Sequence, residues 1–111
     1  MSSIFKKIID GEISCKKVLE NEKCLAFYDI NPQAPIHVLI IPKKEIKDFS
    51  SLDCQTMSEL LEFTHQVVKT LGLEEKGYRL ITNVGENGGQ EVPHLHFHLL
   101  GGAKLKWERL A

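Results

Sequence analysis

Between His94 and Leu100 polar and apolar side chains alternate: His94, Leu95, His96, Phe97, His98, Leu99, with Leu100 and the pair Gly101-Gly102 closing the run. A period of two is that of a β-strand, whose successive side chains point to opposite faces. The spacing therefore predicts a strand with His94, His96 and His98 on one face and Leu95, Phe97 and Leu99 on the other. The apolar face belongs to a core. Three imidazoles are an odd choice for the other if it were merely solvated, because Thr or Ser would serve there without crowding three titratable rings.

The rest of the chain supplies partners for such a strand. Ile4, Phe5, Ile8 and Ile9 recur at helical spacing behind Ser2 or Ser3 as N-cap, with Gly11 as the stop. Val18 to Glu20 and Cys24 to Tyr28 read as a hairpin about the Asn21-Glu22-Lys23 turn, and Asp29 stands at its end. Two prolines, Pro32 and Pro35, stiffen the next loop. The continuous apolar run Ile36 to Ile41, ended by Pro42, is a central strand buried on both sides. His37 interrupts it, either as a core imidazole bonded to backbone or as a member of the histidine group.

A brief helical turn is expected over 44–49. Ser50 or Ser51 then caps a long helix whose stripe is Leu52, Met57, Leu60, Leu61, Thr64, Val67, Val68 and Leu71, ending at Gly72, with His65 on its outer surface. Tyr78 to Asn83 forms a strand, and the loop Val84 to Gln90 leads into the histidines. The order helix, hairpin, strand, helix, two strands describes one α+β domain, a five-stranded antiparallel sheet with a long and a short helix on one side.

Composition narrows the function. With 111 residues, 42% hydrophobic, 26% charged and a net charge of −1, the chain is an ordinary single globular domain without the clustered basic surface that nucleic acid demands. It shows neither a signal-peptide run nor a stretch approaching about 18 apolar residues. A cytosolic protein without a membrane partner is expected. Cys15, Cys24 and Cys54, odd in number and without CxxC, read as reduced thiols.

Two chemistries use grouped imidazoles. Zinc takes tetrahedral ligands at about 2.0 to 2.1 Å, but a strand advances about 13 Å over four residues. Histidines strung along one strand do not converge on one ion, and a metal site would need His37 as a further ligand. The alternative is nucleophilic catalysis, in which an imidazole attacks phosphorus and holds the transferred group until water arrives. That nucleophile needs one bare nitrogen, a partner fixing the tautomer at the other, and donors for phosphate oxygens. Flanking imidazoles can orient it, and their mutual repulsion discourages more than one charge. The loop at Gly85 to Gln90 is either a plain turn or a place where backbone N–H groups, Gly89 among them, approach a phosphate.

These residues resemble the His-φ-His-φ-His-φ-φ pattern of the histidine triad proteins, φ being apolar, and the chain is most similar to their nucleoside-phosphoramidate hydrolase branch. The likeness runs through Ile4-Phe5-x-Lys7-Ile8-Ile9, the segment from Ala26 through Asp29 and Pro35 to His37, Ile41-Pro42-Lys43-Lys44, Gly77-Tyr78-Arg79-Leu80, and Gly88-Gly89-Gln90 with the histidines and Leu100-Gly101-Gly102. The resemblance implies a hydrolase that cleaves the P–N bond of purine nucleoside 5′-monophosphoramidates. His96 would be the nucleophile, His98 would contact phosphate oxygens, and His94 and His37 would orient and polarise. It places Asn83 and Gln90 on the phosphate and leaving-group sides, and Asp29 on the ribose hydroxyls. Phe5, Ile8, Ile13, Phe27 and Ile30 would line the purine pocket, although Ile8 and Ile13 serve equally as core.

No cofactor or metal is implied. The resemblance further implies a homodimer with one continuous sheet, in which Trp107 either crosses the partner's site or packs on its own domain. Glu91 and Pro93 depart from the pattern of some relatives, which carry Ser and an aromatic residue there; Glu91 either attracts a cationic leaving group or faces solvent. Two other readings stay open. One is a dinucleoside polyphosphate hydrolase, whose members often have Gln at the position of His98, and the other a regulatory module that binds nucleotide or metal without turnover.

Overall fold

The apolar run beginning at Ile36 becomes the middle of a sheet. The computed structural model describes residues 3–106; Ser2 and Trp107, and any role for them, lie outside the described residues. The elements are α1 (Ile4–Ile9), β1 (Lys17–Glu20), β2 (Cys24–Tyr28), β3 (Ile36–Pro42), a 3-10 turn (Phe49–Ser51), α2 (Cys54–Thr70), β4 (Arg79–Ile81) and β5 (Phe97–Gly101). The five strands pair antiparallel in the order β1-β2-β3-β5-β4, which is the expected α+β sheet with a long and a short helix.

The helices do not share a side. Cys24, Ala26, Val38, Ile40, Phe97 and Leu99 face Leu60, Phe63, Val67 and Val68 of α2. Leu25, Phe27, Leu39 and Ile41 face the other way and pack on Phe5 of α1, with Ile8 and Ile9 at the margin. β2 and β3 are apolar at both parities, so each sheet face needs cover and α2 can supply only one. Six residues of helix close the second face.

The caps show why the helices start where they do. The Ser3 hydroxyl accepts the Lys6 N–H at 3.1 Å, and Gly11, at φ 80°, ends the turn that follows α1. At α2 the N-cap is Asp53, whose carboxylate accepts the Thr56 N–H at 3.2 Å. Ser50 and Ser51, expected to cap it, lie in the 3-10 turn, which Asp48 caps by accepting the Ser51 N–H at 3.1 Å. The turn expected over 44–49 thus sits a few residues later. Along α2 the stripe holds at Leu60, Thr64, Val67 and Val68 and gains Phe63, whereas Leu61 is 49% exposed. Each large apolar side chain buried here contributes roughly 1.5 to 3 kcal/mol.

Two strands are shorter than their sequence patterns. β4 covers Arg79–Ile81 rather than 78–83. β5 begins at Phe97, so His94 and His96 precede it. Pairing stops at Ile40↔Phe97 on one side and at Ile81↔His98 on the other. Continuing along β3 would bring in Pro42, which has no N–H to give. The histidine segment is instead tied down by the Leu95 N–H donating to the Ile46 carbonyl at 2.7 Å. Face alternation survives the loss of the ladder, because Leu95, Phe97 and Leu99 all enter the α2 core. His65 is exposed, all three cysteines are free thiols, and among the described residues no helix is long and apolar enough to cross a membrane.

Candidate active site

The sheet register brings His37 and His98 together. Leu39 pairs with His98 and His37 with Leu100, which makes the two histidines diagonal neighbours on one face. His37 Nε2 lies 2.9 Å from His98 Nδ1. The Gln33 N–H donates to His37 Nδ1 at 3.0 Å, so the proton of a neutral His37 ring belongs on Nε2 and points at His98. His98 Nδ1 accepts it, and Nε2–H is the donor His98 has left. Asp29, which follows β2, brings Oδ2 to 3.4 Å from His37 Nε2, while its Oδ1 accepts the Asn31 N–H at 2.8 Å.

A second chain of bonds fixes the other two rings. His94 Nε2 donates to the Pro42 carbonyl at 2.8 Å, the same carbonyl end where sheet pairing ceases. The carbonyl of His94 in turn accepts from His96 Nδ1 at 2.8 Å. A backbone carbonyl can only accept, so Nδ1 carries the proton of His96 and Nε2 keeps its lone pair. The Thr82 hydroxyl donates to the carbonyl of His96 itself at 2.9 Å. Phe5 stands edge-on to both rings, 5.0 Å from His96 and 6.2 Å from His94 between centroids, and the His96 and His98 centroids are 5.2 Å apart.

Three of these imidazoles are buried, with His94 2%, His37 5% and His96 6% exposed, and His98 on β5 is half-buried. Burial pushes the pKa of His98 down to about 4, helped by His96 and His37 and opposed by Asp29. The His94 pKa is also lowered by burial, against the pull of the Pro42 carbonyl, and that of His37 by burial against the Asp29 carboxylate. His37, His94 and His98 are therefore neutral near pH 7.

Among the described residues, Asp29, His37 and His98 form a group that could hold a metal ion, with one ligand atom from each lying within 4.8 Å of the others. His94 and His96 lie outside it. In the structure the His37–His98 hydrogen bond occupies this triangle, and an ion would have to displace its proton.

The glycine loop is braced from within. The Gln90 Nε2 donates to the Lys47 and Val92 carbonyls at 2.8 and 3.0 Å, and its Oε1 accepts the Gly85 N–H at 3.0 Å. Asn83 Nδ2 donates to the Gly88 carbonyl at 2.7 Å. The N–H groups of Gly89 and Gln90 donate to Glu86 and Gly85 at 3.0 Å each. Those two amides, like that of Gly85, are taken up inside the turn. A β-carbon at Gly88 would collide with the backbone of Val84, which explains the glycine.

Of the expected purine-pocket residues, the structure gathers Phe5, Ile8 and Phe27 in one cluster. Ile13 is 37% and Ile30 90% exposed, and neither belongs to it. Cys15 and Val92 join the cluster unforeseen. Glu91 is exposed. Beside His94 a cavity of about 280 Å³ is lined by Ser3, Glu45, Ile46, Lys47 and Pro93.

This arrangement defines a class: a small sheet protein that presents a tautomerically fixed imidazole among buried neutral histidines. The model of the HIT domain matches residues 10–105. An uncharacterized HIT-like protein of Helicobacter pylori is 56% identical over 102 residues, spanning 92% of this chain and 98% of its own. The structure of a HIT family hydrolase from Clostridium thermocellum superposes with a TM-score of 0.89 at 44% identity, over 95% of this chain and 94% of that one. That of a histidine triad nucleotide-binding protein from Candida albicans does so with 0.84 at 36% identity, over 96% and 82%. The chain belongs to the HIT domain family.

Proposed function

We propose that the protein hydrolyses the P–N bond of purine nucleoside 5′-monophosphoramidates through a nucleotidyl-His96 intermediate. One observation carries this reading: the His94 carbonyl binds His96 Nδ1–H at 2.8 Å, which leaves Nε2 with a lone pair and no choice of tautomer. In the first step Nε2 attacks the α-phosphorus, a P–Nε2 bond forms, and the bond to the substrate nitrogen breaks. The departing nitrogen leaves as the amine after taking a proton from water. In the second step water attacks the same phosphorus, the P–Nε2 bond breaks, and nucleoside monophosphate and free imidazole are restored. His98 offers its Nε2–H to a phosphate oxygen, and His37, held by Gln33 and Asp29, fixes His98 in the tautomer that can do so. Fixed donors of this kind supply what a metal would otherwise provide.

In the same reading Asp29 meets the ribose hydroxyls and Phe5, Ile8 and Phe27 form the apolar wall for the purine. Asn83 and Gln90 act on the phosphate and leaving-group sides by holding the loop in shape. The descriptions of the Clostridium thermocellum relative as a hydrolase and of the Candida albicans relative as nucleotide-binding support the proposal. His98, where a dinucleoside polyphosphate hydrolase would often carry Gln, favours the smaller substrate. A homodimer fits the sheet edges. The β1 edge bears the Lys17–Glu20 ion pair, whereas the β4 edge carries Tyr78 and Leu80, 43% and 42% exposed, beside Leu61 of α2. Three free thiols agree with a reducing cytosol.

Steady-state hydrolysis of adenosine 5′-phosphoramidate in excess EDTA tests the proposal. The wild type is expected to turn over and His96→Ala to lose at least about a thousandfold in kcat while still binding AMP. Binding without turnover in the wild type would replace the enzyme by a nucleotide-binding module.

A further inference from the structure

We infer that Thr82 is a positioning residue for the nucleophile, its hydroxyl holding the His96 peptide at the point where sheet pairing gives out; as a statement about catalysis this rests on the P–N hydrolase reading above. The β4–β5 register runs Arg79↔Leu100, Leu80↔Leu99, Ile81↔His98. Its continuation would set Thr82 opposite Phe97 and Asn83 opposite His96, but the ladder stops. On the other flank the β3–β5 ladder stops at Ile40↔Phe97, and the Pro42 carbonyl further along is taken by the His94 ring. The peptide of the reacting residue therefore lies past both ladders that fix the strand behind it.

Thr82 bridges that gap. Its Oγ1 donates to the His96 carbonyl at 2.9 Å, a side-chain donor where a backbone donor would have served within a ladder. The residue is half-buried and immediately follows β4, so its own backbone is well placed to transmit the rigidity of the sheet. Two bonds then fix His96 from different sides. Nδ1 is held by the His94 carbonyl, which chooses the tautomer, and the carbonyl is held by Thr82, which fixes where the ring is carried. An in-line attack on phosphorus depends on the second as much as on the first, because a nucleophile displaced by a fraction of an ångström keeps its basicity and loses its aim.

Valine replaces threonine with nearly the same shape and no donor, so Thr82→Val removes the bond with little change in packing. In single-turnover mixing with adenosine 5′-phosphoramidate, formation of the nucleotidyl-enzyme should slow by about tenfold, and kcat with it, while KM stays within about twofold. Thr82→Ser, which keeps the hydroxyl, should recover to within about threefold of the wild type. A readout independent of turnover accompanies these rates: in protein carrying ¹⁵N-histidine, the His96 ring of the wild type and of Thr82→Ser should give one sharp set of signals and that of Thr82→Val signals broadened by exchange between positions, while the Nδ1–H tautomer chosen by the His94 carbonyl is kept in all three.

Wild-type rate and sharp, wild-type ring signals in Thr82→Val would overturn the inference. So would a serine variant as slow as the valine one, since the hydroxyl would then not be the operative group. If the wild type itself leaves the phosphoramidate intact, the hydrolase reading fails, and the comparison of ring signals still decides whether Thr82 positions His96.

Discussion

At the scale of single residues, four histidines share one face of the sheet; a backbone group orients three of them, and the ring of His37 orients the fourth, His98. Carbonyls of Pro42 and His94 accept one hydrogen bond each from His94 and His96, and the Gln33 N–H donates one to His37. Donors and acceptors of the main chain thus set the tautomers of His94, His96 and His37, and burial lowers the pKa of His94, His37 and His98. This has a consequence for stability. His98 titrates near 6.5 when exposed but only at about 4 in the fold, chiefly because it is buried. Between those values the unfolded chain binds more protons than the folded one, so stability is complete above about pH 6.5 and is lost as the pH falls toward 4. His37 and His94 shift in the same direction. Urea midpoints measured from pH 7 to 4 should fall for the wild type and fall less steeply for His98→Gln; parallel slopes would contradict this account.

The residues that do this work were unevenly legible. The period of two marked the histidines, since alternation is local. Thr82 carried no such mark. A lone hydroxyl between Ile81 and Asn83 acquires meaning only from a register fixed by strands far away in sequence. Gln90 was legible as part of a motif, but its bonds to Lys47 and Val92 were not. A brace of that kind depends on where two loops meet.

At the scale of elements, the helices illustrate what spacing can and cannot settle. Ile4, Phe5, Ile8 and Ile9 announced α1, and the stripe from Leu60 to Val68 announced α2, because both are amphipathic over several turns or end in clear caps. Spacing pointed to Ser50 or Ser51 as the cap of α2, whereas the structure uses Asp53, two positions beyond Ser51. The 3-10 turn consumed the serines, and Asp53 took the role by meeting the Thr56 N–H. Asp53→Ala should cost about 1 kcal/mol and lower Tm by about 4 °C. Phosphoramidate turnover should remain at the wild-type level, since α2 covers the sheet face opposite the histidines. A loss of activity parallel to the loss of stability would show that the two faces are coupled. That α1 lies on the histidine face was not readable from its own sequence, whose apolar stripe would suit either face of a sheet apolar on both.

At the scale of the molecule, the sheet has two unlike edges. One is charged and pinned by Lys17, Glu20 and Lys43; the other, β4, is short and displays Tyr78 and Leu80 next to Leu61. Light scattering should give a dimer for the wild type and a monomer for Leu80→Asp, whose site is exposed enough in one chain to accept the charge without unfolding it. An unchanged mass would place the association elsewhere or abolish it.

Phe5 touches the rings of His94 and His96. This contact joins opposite ends of the described chain, and a six-residue helix, too short to persist alone, is held by its packing on β2 and β3 as well as by the histidine segment. A chain stopped short of residue 94 would keep the contact of Phe5 with Phe27 and lack the imidazoles that Phe5 flanks. The wall behind His96 is therefore complete only when segments from both ends of the described chain are present together.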